Sequence, residues 1–105
     1  MKFGLSDKVI NALISVFEEF PVVKKAIIFG SRAAGDQKPG SDIDLALSGA
    51  LNFETLMKIK AKIEELNLPY NVDLHDYSKI KKLSLKNEID ESGRIFYANN
   101  KKSRS

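Results

Sequence analysis

Apolar side chains recur at helical spacing from Val9 through Ile10, Leu13, Ile14 and Phe17, and the pattern ends at Pro21. Ser6 is placed to cap this first helix, with Asp7 in its opening turn. Lys25 to Phe29 is a short apolar run stopped by Gly30 and reads as a buried strand. After a loop through Gly35, Pro39 and Gly40, residues alternate from Asp42 to Leu47. Ile43, Leu45 and Leu47 share one face, Asp42, Asp44 and Ala46 the other, which predicts a second strand covered on one side. Asn52 opens a second helix whose stripe is Phe53, Leu56, Met57, Ile59, Ile63 and Leu66, closed by Pro69. Its lysines and glutamates make a solvated face. Tyr70 to His75 alternates again, with Asn71, Asp73 and His75 opposite Val72 and Leu74. A third helix between Ile80 and Ser92, with Gly93 at a left-handed C-terminal position, then leads into a last strand, Arg94 to Tyr97. The expected class is α/β (α+β): a mixed sheet of about four strands with helices packed on one face.

Composition narrows the function. A chain of 105 residues, 43% of them hydrophobic, builds one core. Residues 1–97 are expected to form the domain, and the polar, aperiodic stretch 98–105 a disordered basic tail. The absence of cysteine leaves oxygen-donor metal sites and a hard ion such as Mg²⁺. No leader or membrane-length apolar run is visible, so a cytoplasmic protein is expected. The net charge of +3 comes from Lys101, Lys102 and Arg104; elsewhere basic residues equal the 14 acidic ones. A domain without net positive charge argues against nucleic acid as a partner.

The chemistry lies on the strands. Asp42 and Asp44, two apart, leave the same face roughly 6–7 Å from each other. Such a pair either shares a cation or is split between serving the Gly40-Ser41 turn and meeting open water. Asp73 stands at the equivalent place on the third strand. If the two strands are neighbours, three carboxylates converge on one open face, an oxygen-only site suited to Mg²⁺. Gly30-Ser31-Arg32 follows a strand and opens a short helical stretch, where free amides and a glycine let a phosphate approach. On its own, the same segment also reads as a simple N-cap followed by a surface charge.

Together these residues resemble the minimal nucleotidyltransferases of the DNA polymerase β-like nucleotidyltransferase superfamily. Phe29-Gly30-Ser31, a spacer of ten residues and Asp42-Ile43-Asp44-Leu45 are similar to its signature of hydrophobic-Gly-Ser, about ten residues, then Asp-hydrophobic-Asp-hydrophobic. Val72-Asp73-Leu74 resembles its later acidic element, and the segment from Ile89 to Tyr97 its closing helix and strand. The resemblance spans nearly all of the chain except the tail. It implies the nucleotidyltransferase fold and a magnesium-dependent transfer of a nucleoside monophosphate from ATP or another NTP, with release of pyrophosphate. It further implies Asp42, Asp44 and Asp73 as metal ligands and catalytic residues, Asp73 being the nearest candidate base, and Gly30, Ser31 and Arg32 as the nucleotide-binding group.

So small a domain leaves a site on an open sheet face exposed, and a homodimer or a small helical partner, HEPN-like or substrate-binding, is expected to cover it. The acceptor would be a protein or a small molecule, and the pair a toxin-antitoxin-like system. The alternative from another class is a nucleotide-binding or toxin-neutralising subunit with little turnover; retention of three aspartates favours the enzyme. An antibiotic-modifying transferase would need a further helical domain, and a polymerase fingers and a thumb. His75 shares the face of Asp73 but reads as a rim residue outside the site.

Overall fold

The computed structural model describes residues 2–99. Helix α1 (Asp7–Glu18) begins where Ser6 Oγ accepts the Val9 amide at 3.3 Å, satisfying a donor that the helix itself leaves free. Strand β1 (Val23–Phe29) leads through Gly30 into the single turn α2 (Ser31–Ala34). Strand β2 (Ile43–Gly49) follows, then helix α3 (Phe53–Glu64), whose Asn52 cap accepts the Thr55 amide at 2.8 Å. Strand β3 (Val72–Asp76), a 3₁₀ turn (Tyr77–Lys79), helix α4 (Leu83–Ser92) and strand β4 (Arg94–Ala98) complete the chain.

The strands form one mixed sheet in the order β3-β2-β1-β4. β1 pairs antiparallel with both β2 and β4, and β2 pairs parallel with β3. The parallel pair needs a crossover, which α3 supplies. Period-two alternation sends Ile43, Leu45 and Leu47 into the main core, where they meet Ala26 and Ile28 of β1, Leu13, Val16 and Phe17 of α1, and Ile59 and Ile63 of α3. Phe17 packs edge-on to Phe96 of β4, ring centroids 6.5 Å apart, and so ties the first helix to the last strand.

The one-face arrangement expected from sequence holds for α1 and α3. Helix α4 departs from it: Ile89 and Leu85 pack with Phe29 and Ala46 on the opposite face, in a second, smaller cluster. β2 is therefore covered on both sides around Ala46, which is 1% exposed, while Asp44 toward its start is only half-buried. Gly93 is also placed differently. Its backbone is extended (φ −69°, ψ 156°), and what demands glycine is space, because a Cβ there would stand 2.5 Å from both Ile27 Cγ2 and the Ile89 carbonyl oxygen. The missing side chain lets α4 end flush against β1.

Two boundaries move. β1 starts at Val23, whose amide bonds the Phe20 carbonyl at 2.9 Å and whose side chain is fully buried. At the other end Ala98 pairs with Lys25, and the Asn99 amide donates to the Lys24 carbonyl at 2.9 Å, so the folded part runs two residues past the expected limit at Tyr97. The rest of the expected tail, residues 100–105, lies outside the described residues.

Candidate active site

The second face of the sheet carries the carboxylates. In the ladder, Asp44 stands between Phe29 on β1 and Asp73 on β3. The parallel register thus sets the second and third acidic residues side by side, as their common strand position requires. Asp42 lies just before β2 and is exposed, Asp73 is exposed, and Asp44 is half-buried. Burial pushes the Asp44 carboxyl above its ordinary range, the negative charges of Asp73 and Asp42 push it further, and His75 opposes them. All four groups therefore share one local field.

Among the described residues, no three Asp, Glu or His side chains are gathered closely enough to enclose an ion as they stand. The donor set is nonetheless right for Mg²⁺. It offers carboxylate oxygens only, held on adjacent strands, and it carries a repulsion that a divalent cation would relieve.

Beside Asp44 the backbone makes room. Gly30 has φ 79° and ψ −153°, a conformation side-chain-bearing residues rarely adopt, and a Cβ on it would lie 2.9 Å from Asp44 Oδ2. The space a side chain would fill is a cradle between the start of α2 and the carboxylates. Ser31, exposed, opens α2 at its edge. Gly30→Ala should cost about 1–3 kcal/mol in urea unfolding through backbone strain. A displacement of Asp44 on the order of 1 Å should also reduce catalysed turnover by roughly 10²-fold. Unchanged stability and rate would show that the cradle is not needed.

Arg32 does not join this group. It is 3% exposed and turned inward: Nε and Nη2 donate to the Ser41 carbonyl at 3.1 and 2.8 Å, and Nη1 donates to the Phe3 and Gly4 carbonyls at 2.9 and 3.4 Å. Its guanidinium lies over the Tyr70 ring, 4.9 Å from the centroid. The sequence placed Arg32 in the nucleotide-binding group; the structure instead commits its donors to backbone carbonyls in the interior.

His75, set aside on sequence, stands closer in. Its Nε2 is 3.7 Å from Asp73 Oδ2, and its ring meets Phe29 edge-on at 5.4 Å. The spacing of two from Asp73 was the available signal. The contact with Phe29 was not, because nothing in the sequence reported how β1 lies against the other strands.

Comparison with known proteins identifies the family and the fold. Residues 11–102 match the family described as polymerase beta, nucleotidyltransferase. A Methanocaldococcus jannaschii protein named as a protein adenylyltransferase is 32% identical over 95 residues, covering 84% of this chain and 90% of that one. A chain of a toxin-antitoxin crystal structure with AMP-PNP superposes with a TM-score of 0.70 at 23% identity, over 87% of this chain and 74% of that one. A chain from the complex of tri-AMPylated Shewanella oneidensis HEPN toxin with MNT antitoxin gives 0.66 at 19%, over 90% and 74%. At these identities the two structures establish the fold.

Proposed function

Because the chain belongs to the polymerase beta nucleotidyltransferase family and is a nucleotidyltransferase, we propose that it moves a nucleoside monophosphate, AMP from ATP in the first instance, onto a hydroxyl of a protein or small-molecule acceptor. The observation that carries this reading is the Gly30 cradle opening onto Asp44, with Asp73 in register beside it.

Asp42, Asp44 and Asp73 would hold Mg²⁺, which when bound neutralises phosphate charge and acts as a Lewis acid toward the α-phosphate. The backbone at Gly30, the Ser31 amide and the Ser31 hydroxyl receive the triphosphate where no side chain blocks its approach. Asp73, exposed at the strand nearest the sheet edge, accepts the acceptor hydroxyl's proton. The acceptor oxygen then bonds to the α-phosphorus as the bond from that phosphorus to the bridging oxygen breaks, and pyrophosphate departs. Asp44, with burial and two like charges against its ionised form, gains most from a bound cation.

The AMP-PNP of one similar structure and the AMPylated toxin of another favour ATP, and those complexes favour a helical partner as acceptor or cover. No helix among the described residues is long and apolar enough to cross a membrane.

The test is an assay with α-³²P-labelled ATP, Mg²⁺ or EDTA, and proteins co-purified with the chain, read by autoradiography and intact mass. Label transfer that requires Mg²⁺, adding one AMP per modified hydroxyl, is expected. Tight binding of Mg-ATP with no transfer to any co-purified acceptor would favour a nucleotide-binding subunit instead.

A further inference from the structure

A guanidinium 3% exposed is costly to bury, and among the described residues no carboxylate lies within ion-pair distance of Arg32. Its charge is met by three backbone carbonyls and one aromatic ring. What those partners have in common is their place in the chain. Arg32 directly follows Ser31 of the nucleotide turn. Ser41, whose carbonyl takes two of its N–H bonds, directly precedes Asp42. Tyr70, under its plane, lies three residues before Asp73, and the neighbouring Asn71 carbonyl accepts the Ile43 amide at 2.9 Å.

The amino-terminal turn is shaped for the same group. Phe3 and Gly4 both have positive φ, 57° and 71°, which turns both carbonyls onto Nη1, and a Cβ on Gly4 would be 3.1 Å from that nitrogen. A phenylalanine in the left-handed region is strained and persists only where its surroundings hold it.

We propose that Arg32 is a positioning residue, a latch across the base of the loop between Ser31 and Asp42 that fixes Asp42 relative to the Gly30-Ser31 turn without touching nucleotide. The loop's own bonds are few: Lys38 and Ser41 close a turn at its far end, at 2.8 and 3.0 Å, and the Asp36 amide meets the Ser31 carbonyl at 2.9 Å. The planar fork of arginine spans what a lysine ammonium cannot, two bonds to Ser41 and one to Phe3 at once. The role in metal binding rests on the function proposed above; the latch itself does not.

Arg32→Lys keeps the charge and loses the fork. It should fold with a lowered Tm, and amides of residues 36–42 should exchange with deuterium at least about tenfold faster while α1 and α3 change far less. Mn²⁺ affinity measured by calorimetry without nucleotide should weaken about 10–100-fold. kcat should fall with it, and KM for ATP at saturating divalent ion should stay within about twofold. A raised KM with unchanged exchange and Mn²⁺ affinity would place Arg32 on the nucleotide and overturn the proposal. A lower Tm with residues 36–42 and Mn²⁺ affinity unaltered would reduce it to a scaffold residue. If the lysine variant does not fold, Tyr70→Leu removes only the ring beneath the guanidinium and should loosen the same segment less; unchanged exchange there would overturn the latch. Absence of Mn²⁺ binding by the unaltered protein would count against the proposed function, while the exchange comparison would still decide the latch.

Discussion

Asp44→Asn should sharply reduce nucleotide transfer and, at the same time, make the unliganded protein more stable. The two effects have one cause. Asp44 is half-buried beside Asp73 and Asp42, and its carboxyl is raised above its ordinary range by burial first and by those two charges next. An acid with a raised folded-state pKa keeps its proton in the native protein at pH values where the unfolded chain has released it. The native state then binds more protons, so stability falls as pH climbs from the ordinary aspartate value of 3.8 through the raised value. Above the raised value the whole of that penalty is present, and asparagine, with nearly the same shape and no charge, removes it. Thermal melts should place the variant above the parent at neutral pH and bring the two together toward the ordinary aspartate range. Added Mg²⁺ should raise the Tm of the parent and do little for the variant. Transfer should fall on the order of 10³-fold, because an oxygen donor of the proposed metal site is lost where phosphate charge must be balanced. A variant that is less stable at neutral pH, or that keeps its rate, would contradict the charge field described for this face.

Asp73→Asn should behave differently although the residue lies next to Asp44 in the ladder. Asp73 is exposed, so asparagine changes stability little. As the base proposed for the incoming hydroxyl, it is expected to matter more for turnover than for nucleotide binding. Loss of a general base costs about 10²–10⁴-fold. The expected result is a kcat reduced by about that factor, with Mg-ATP affinity from calorimetry within several-fold of the parent. Equal losses of affinity in both variants would mean that Asp73 serves binding as much as chemistry, and an unaltered rate would remove it from the mechanism.

The strands and their carboxylates were readable in the sequence because period two leaves no ambiguity. Placing Ile43, Leu45 and Leu47 in the core forces Asp42 and Asp44 onto the other face, and the same holds for Val72, Leu74 and Asp73. The Gly-Ser turn was readable because few residues tolerate its backbone. Arg32 was not, since an arginine facing water and one bonded to backbone carbonyls are the same letter, and its partners lie nine to 38 positions away. Gly93 was misjudged for a related reason: glycine serves a left-handed turn and a tight contact equally, and only the proximity of Ile27 decides between them. The position of α4 escaped because its apolar residues are few and its cover over Ala46 depends on Phe29, on a different strand.

The parallel junction of β2 and β3 has a consequence for how the protein comes into being. Asp44 meets Phe29 across a short connection but meets Asp73 only after α3 has crossed over, a closure about twice as long in residues. Doubling a loop costs only about 0.6 kcal/mol in entropy, yet contacts distant in sequence also form slowly. The Gly30-Ser31 turn and Asp44 meet through the β1–β2 pair alone, whereas Val72-Asp73-Leu74 joins them only across the longer connection. A folding chain can therefore set Gly30 beside Asp44 while Asp73 is still apart, and the three carboxylates share one face only once the crossover has docked.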